Sequence, residues 1–114
     1  MMYISHENKA VNVNNMDSIE VAFREIHKDY IIQIKQRGLV ELCIYSSGHM
    51  NFDEAKFVYQ NILAAFNGVY YDTRKKRYAE RAVSTGVLMA DESTIDDIIK
   101  VYHEQIEKKE NSSQ

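Results

Sequence analysis

A run of four consecutive basic residues flanked by tyrosines is the densest group of residues able to do chemistry in this chain. Positive side chains attract phosphate and aromatic faces stack on bases, so this composition is typical of a site for single-stranded nucleic acid. Four basic residues provide few phosphate contacts, and binding is therefore expected to be weak and salt-sensitive. The alternative is a solvated segment that pairs with the acidic residues following it. The group comprises Tyr71, Arg74, Lys75, Lys76, Arg77 and Tyr78.

An acidic segment follows, at the start of the last predicted helix. Carboxylates are favoured near a helix N-terminus because the helix dipole is positive there, which already explains their position. The functional interpretation is a surface that faces a basic partner protein, to which a tyrosine adds large contact area at low entropic cost. The predicted partner-binding residues are Asp91, Glu92, Asp96, Asp97 and Tyr102.

The four histidines and the single cysteine form no recognisable catalytic or metal-binding motif. No histidine has a second histidine three or four positions away, and one cysteine cannot complete a zinc knuckle or an internal disulfide. Cys43 lies between Leu42 and Ile44 in a predicted strand, and is interpreted as an unreactive packed thiol. We therefore expect no enzyme, no metal and no cofactor.

Two histidines stand where polar contacts are expected. His49 ends the polar run Ser46-Ser47-Gly48, just before a predicted helix, where free backbone N–H groups can bind an anion. That run contains no lysine and matches no phosphate loop. His103 and Glu107 lie four residues apart on the last predicted helix, a spacing more typical of an ion pair than of metal ligands.

Charge is unevenly distributed along the chain. The 114 residues carry a net charge of -3. Residues 69–90 hold five basic and two acidic residues, whereas residues 91–114 hold three basic and seven acidic residues. The negative sign of the overall net charge argues against extensive nucleic-acid binding.

With 45% apolar and 27% charged residues, the composition is that of an ordinary globular domain. No apolar run approaches the roughly 18 residues of a membrane span, and the N-terminus resembles no secretory signal, so we expect a cytoplasmic protein.

Alternating apolar and polar residues predict β-strands in the first half of the chain. In one of them, Ile19, Val21 and Phe23 are expected on the buried face. Gly38 supplies the positive φ that a tight hairpin needs. The first two strands are expected to complete one antiparallel meander with the others. The predicted strands lie near Tyr3–Ser5, Ala10–Val13, Ile19–Arg24, Tyr30–Lys35 and Val40–Ile44.

Capping residues and helical periodicity predict two helices. Asn51 and Glu54 have the spacing of a capping box, and apolar residues from Ala55 to Phe66 recur at helical spacing. Asn67-Gly68 is a typical helix stop. Ser93 begins the second helix, and residues 72–90 show no clear pattern.

The prediction is a single α+β domain over residues 1–110, with a polar tail at 111–114. It has a small antiparallel sheet of three to five strands in the N-terminal half, packed by a helix near 52–67, plus a C-terminal helix near 93–109.

Four short motifs give the chain a family resemblance over residues 2–71. They are Met2-Tyr3-Ile4-Ser5, the run Lys9 to Met16, Phe52-Asp53-Glu54-Ala55-Lys56 at a helix start, and Val69-Tyr70-Tyr71 after that helix. In these motifs the chain resembles short proteins found in phages and prophages of low-GC Gram-positive bacteria. The group has no assigned activity, so the resemblance implies a fold pattern and no catalytic residue. Residues 72–114 lie outside it.

These observations predict a non-enzymatic accessory protein of phage or mobile-element type. An antiparallel sheet covered by one helix leaves a face or edge open, and such surfaces usually find a partner. We expect a homo-oligomer, a host-protein partner, or both, with inhibition of a host defence system as one use. Weak nucleic-acid binding through residues 74–77 is the first alternative. An oligomer that sequesters a small ligand or nucleotide is the second.

Overall fold

The structure is a computed structural model that describes residues 2–72, 77–80 and 86–112, with side chains described for residues 2–69 and 86–110. In chain order the elements are β1 (Met2–His6), β2 (Lys9–Asn12), a 3-10 turn (Val13–Asn15), β3 (Ser18–Arg24), β4 (Asp29–Gln36), β5 (Leu39–Ile44), α1 (Phe52–Phe66), β6 (Val69–Asp72), β7 (Arg77–Glu80), β8 (Gly86–Met89) and α2 (Glu92–Ser112). Strands β3-β4-β5 and β2-β1-β8 form two three-stranded sheets, and β6-β7 form a hairpin. The predicted α+β class is confirmed.

The central sheet β3-β4-β5 is antiparallel and carries the core on one face. Its register places Ile34 between Ile19 and Leu42, so the alternating apolar residues of the three strands share that face. Helix α1 packs on it with the apolar stripe expected from helical spacing. The buried residues that join helix and sheet include Ile32, Ile34, Leu42, Ile44, Val58 and Ile62.

Two residues of the central sheet depart from the predicted burial pattern. Phe23 shares the face of Val21 but is 48% exposed, one residue before the end of β3. Ile31 points to the opposite face and is nevertheless buried, with 1% of its surface exposed. Strand alternation therefore gives the direction of each side chain but not whether something covers it.

The two central hairpins turn on residues with positive φ. Arg37 and Gly38 adopt φ values of 54° and 76° between β4 and β5, as a two-residue hairpin turn requires. The predicted hairpin at Gly38 is confirmed. Lys28 has a φ of 53° in the turn between β3 and β4.

The first two strands do not extend the central meander, and that detail of the prediction is wrong. Strand β1 pairs antiparallel with β2 and parallel with β8, with Ile4 opposite both Val11 and Leu88. A parallel pair needs a long crossover connection, which here contains the whole central sheet and α1. No local pattern signals a pairing at that sequence distance.

Both helices agree closely with their predicted positions. The capping box is confirmed, since the Asn51 side chain accepts from the Glu54 N–H at 2.8 Å and the Glu54 carboxylate accepts from the Asn51 N–H at 2.8 Å. Helix α2 begins at Glu92, one residue before the predicted start, and continues through Ser112. Residues 111 and 112, predicted to be tail, therefore belong to its last turn. Among the described residues, neither helix has the length and apolarity to cross a membrane.

Candidate functional site

A buried carboxylate at the start of β4 organises a cluster of polar side chains. Asp29 is 2% exposed and pairs with Arg24 across the β3–β4 hairpin. The guanidinium donates to both carboxylate oxygens, from Nε at 2.9 Å and from Nη2 at 2.7 Å. This two-pronged geometry is the strongest form of charge-assisted pairing available to a carboxylate.

A histidine completes the surroundings of this carboxylate. His49 Nδ1 lies 3.0 Å from Oδ2 of Asp29, and the His27 ring stacks on the His49 ring with centroids 5.9 Å apart. The Arg24 hydrogen bonds, with a further bond from His49, lower the pKa of Asp29 to about 2 although burial opposes the shift. We call Arg24, His27, Asp29 and His49 the Asp29 cluster.

The chemistry open to the Asp29 cluster is limited by how its groups are used. Asp29 orients His49 through Nδ1, which leaves Nε2 of a largely exposed ring available as a base. Among the described residues, no hydrogen bond, ion pair or ring contact joins Cys43 to a histidine. The arrangement is best explained as an anchor that fixes the turn between β3 and β4.

An exposed apolar row lies beside this anchor. The Phe23 and Tyr30 ring centroids are 5.1 Å apart, and those of Tyr30 and Phe52 are 5.4 Å apart. Ile26, in the turn that joins β3 to β4, is 91% exposed. The backbone beneath is fixed, since the Tyr30 N–H donates to the Met50 carbonyl at 3.0 Å. We call Phe23, Ile26, Tyr30 and Phe52 the aromatic ridge.

Sequence reasoning missed both the Asp29 cluster and the aromatic ridge. The alternation of apolar and polar residues predicts Phe23 on the buried face of its strand, and no sequence motif marks Asp29 as a site residue. A signal existed in the spacing of Arg24 and Asp29, which flank a four-residue turn and so face each other across a hairpin. Nothing local indicated that the aromatic side chains of the same hairpin would stay exposed.

Two of the predicted partner-binding acids are engaged within the fold. Asp91 accepts from the Glu7 N–H at 2.8 Å, and the Glu7 carboxylate accepts from the Glu92 N–H at 3.1 Å. Asp96 accepts from the Ser47 N–H at 3.0 Å and also from the Ser47 hydroxyl. These bonds tie the start of α2 to the β1–β2 turn and to the loop before α1. They also occupy the Ser47 N–H, one of the backbone groups considered above for anion binding.

The remaining predicted residues of α2 differ in environment. The Asp97 side chain is exposed. The Tyr102 ring is half-buried against Phe57, with ring centroids 5.1 Å apart. Loss of hydration raises the pKa of the Tyr102 hydroxyl, and the carboxylates of Asp53 and Glu54 add to that shift. Partner binding by this face of α2 stays a prediction.

The basic run is described only in part. Arg74, Lys75 and Lys76 lie outside the described residues. The backbone of Arg77 pairs with that of Asp72, and Tyr71 pairs with Tyr78, in the hairpin β6-β7. The two predicted tyrosines are therefore cross-strand neighbours, with the basic run beginning in the connection between their strands.

His103 is paired differently from the sequence expectation. Its Nε2 lies 2.6 Å from the Glu54 carboxylate, so the pair joins α2 to the start of α1, whereas the sequence placed its partner at Glu107. Among the residues that the structure describes, no group of three or more histidine, cysteine or acidic side chains is arranged to hold a metal ion.

Comparison of the chain with protein-family models, with curated proteins and with solved structures finds no match.

Proposed function

We propose that this chain is a non-enzymatic accessory protein of phage or mobile-element type that acts in the host cytoplasm by binding protein. The observation that carries the proposal is the aromatic ridge. It contributes three of the exposed large apolar side chains of the described residues, Phe23, Ile26 and Phe52, and the Tyr30 ring joins Phe23 to Phe52. The resemblance of residues 2–71 to short phage proteins supports the biological setting.

The physical argument rests on the cost of exposing these groups together. A single exposed apolar side chain is ordinary, but contiguous apolar patches on soluble proteins usually mark interaction sites. Aromatic side chains contribute strongly to binding because they bury large areas with few rotatable bonds. The Asp29 cluster and the Tyr30–Met50 hydrogen bond hold the backbone beneath the ridge, so little ordering is needed on binding.

A second copy of this chain is the occupant that we infer. A two-fold interface brings the same patch together twice, so its charges must complement themselves. The turn that carries Ile26 also carries one acid and one base, Glu25 and Lys28, whose side chains are highly exposed and only 3.4 Å apart. In a two-fold arrangement each can meet its opposite on the partner. A host protein, including a component of a defence system, is the other occupant to be tested.

Sedimentation velocity over a range of concentrations tests this function. The natural chain is expected to form a dimer, and Ile26→Asp is expected to remain monomeric because burying an unpaired carboxylate in the interface is costly. Leu39→Asp is the matched control, since Leu39 is 66% exposed at the start of β5, next to a different hairpin turn, and the variant should still dimerise.

The outcomes separate the two occupants. If the chain is monomeric and captures a host protein, the ridge is instead the binding site for that protein. This outcome requires that capture is repeated from purified components and is lost in Ile26→Asp. A chain that is monomeric at every concentration and has no partner in a pull-down would refute the proposal.

A second candidate function, weak binding of single-stranded nucleic acid, is favoured by one observation. The pairing of Tyr71 with Tyr78 places two aromatic residues side by side at the base of the connection that contains the basic run. Fluorescence anisotropy with a labelled oligonucleotide at low and high salt tests it. Binding should weaken with salt and be lost on combining Arg74→Glu with Lys76→Glu. Absence of binding at low salt ends this alternative.

A further inference from the structure

A cavity of about 280 Å³ lies between α1, β8 and the first turns of α2. Its wall is mostly aliphatic, and Ala65 and Ala90 contribute to its size because their short side chains leave space between the three elements. Among the described residues that line it, none is aromatic and none is basic. A cavity with such a wall offers water few hydrogen bonds and accepts apolar molecules. The larger aliphatic residues that line it are Ile62, Leu88, Met89, Ile95 and Ile98.

Asp97 is the one charged residue in the described part of this wall. Its side chain lines the cavity and is also exposed, so it lies at the rim. Within the part of the chain that the structure describes, its carboxylate has no hydrogen bond or ion pair. Residues 91–99 contain four acidic residues and no basic one. The potential at the rim is therefore negative and favours a cation.

The other polar residues of the described wall are Asn61 and Thr94. Asn61 is 7% exposed, and its Nδ2 donates to the Phe57 carbonyl at 2.8 Å, one turn earlier in α1. Its amide oxygen stays an acceptor, and the Thr94 hydroxyl can accept as well as donate. The described wall thus has no positive group for a ligand anion, whereas it has acceptors for a ligand donor.

The size of the cavity and the position of Asp97 limit the ligand further. A cavity of about 150 Å³ accommodates benzene, so this cavity corresponds by proportion to roughly ten non-hydrogen atoms. A hydrocarbon of that size gains affinity by burying its apolar surface against the aliphatic wall. Because Asp97 lies at the rim, a cationic group must be at the end of the ligand that enters last. A lysine side chain of another protein has the reverse order, since its ammonium group would enter first.

We propose that this cavity binds a small aliphatic amine, with its hydrocarbon part inside and its ammonium group at Asp97. An ammonium group carries three donors and no acceptor, which matches the carboxylate at the rim. The hydrocarbon part lies against Ile62, Leu88 and Ile95, one residue from each of the three elements. The site goes beyond the proposed function and does not depend on it, because the cavity and the aromatic ridge share no described residue.

Titration with octylamine at about pH 7 tests the site, because an alkylamine is protonated there as a lysine side chain is. Binding is followed by the methyl resonances of Leu88 and Ile95 in proton–carbon correlation spectra. The expected result is a saturable shift of both resonances. Octanoate has the same chain length and the opposite charge, and it should bind at least about tenfold more weakly.

The variant Asp97→Asn separates the role of the charge from that of the apolar wall. It is expected to weaken octylamine binding about fivefold, the size expected of a partly exposed ion pair. Binding of octanol, which is uncharged, should not change. Asp53→Asn is the matched control, since Asp53 is an exposed acid near the start of the other helix and does not line the cavity. It should bind octylamine as the natural chain does.

The outcomes decide the proposal in either direction. A saturable shift, a preference for octylamine over octanoate and a selective loss of octylamine binding in Asp97→Asn would establish an amine site. Absence of a saturable shift with octylamine would overturn it, as would octanoate binding as tightly as octylamine. An unchanged octylamine affinity in Asp97→Asn, or an equal loss of octanol binding in that variant, would overturn the role of Asp97 and with it the assignment of the ligand as an amine.

Discussion

Two neighbouring cross-strand pairs at one end of the β3–β4 hairpin reverse the usual distribution of polar and apolar residues. Asp29 is 2% exposed in its pair with Arg24, while Phe23, paired with Tyr30 one position along, is 48% exposed. Charged residues are rarely buried unless paired, and large aromatic residues are usually inside. The difference indicates that this end of the hairpin is a rigid base beneath an exposed apolar surface, which is the surface that the proposed function assigns to a partner.

The comparison predicts that the charged pair, and not the aromatic pair, stabilises the monomer. Asp29→Ala leaves Arg24 without its main partner, and breaking a buried pair from one side costs about 3–5 kcal/mol. We expect a loss of about 3 kcal/mol in the free energy of unfolding, measured by urea denaturation. Glu25→Ala, which removes an exposed carboxylate from the adjacent turn, should change it by less than about 0.5 kcal/mol. A loss below about 1 kcal/mol in Asp29→Ala would contradict this account.

The same pair predicts how stability depends on pH. The pKa of Asp29 is about 2 in the folded protein and about 3.9 in an unfolded chain, so the unfolded state takes up the proton first as pH falls. The contribution of Asp29 is complete above about pH 4 and is lost as pH approaches 2, a decrease of roughly 2–3 kcal/mol. Urea denaturation of the natural chain and of Asp29→Asn between these pH values should show the difference between them shrinking. Parallel curves would assign the acid sensitivity to other groups.

The parts of the fold that the sequence predicts correctly are those whose partners lie close along the chain. The capping box at Asn51 joins residues three apart, and the Gly38 hairpin depends on two adjacent φ angles. In both, the residue type determines the local conformation. The apolar stripe of α1 is predicted for the same reason, since helical spacing identifies its buried face.

The parts that the sequence does not predict depend on contacts between distant segments. Strand β8 pairs with β1 although the whole central sheet lies between them in the sequence. His103 hydrogen-bonds to Glu54 on the other helix. Many alternative partners exist at such distances, and periodicity does not choose among them. The candidate site is the least predictable part, because Asp29 meets His49 twenty residues further along the chain and the Tyr30 ring meets Phe52 on the first helix.

On the apolar side of the comparison, Phe23→Ala should have a much smaller effect on folding than Asp29→Ala. The substitution removes one ring contact with Tyr30 from a half-exposed position, and such an aromatic pair contributes about 0.5–1.5 kcal/mol. We expect a loss of about 1 kcal/mol in the free energy of unfolding, together with weaker self-association. A loss as large as that of Asp29→Ala would place Phe23 in the core and remove it from the ridge.

The smallest expected effect on folding is that of Ile26→Asp. This variant tests most directly whether the aromatic ridge and the Asp29 cluster have separate roles. The Ile26 side chain is 91% exposed, so Ile26→Asp removes almost no buried surface and should change the free energy of unfolding by less than about 0.5 kcal/mol. That free energy is measured by urea denaturation at a protein concentration where the natural chain is monomeric, since dimerisation otherwise adds to apparent stability. The same variant is expected to lose self-association. An unchanged monomer that no longer dimerises separates the role of the ridge from that of the Asp29 cluster, whereas a destabilised monomer would show that Ile26 supports the hairpin itself.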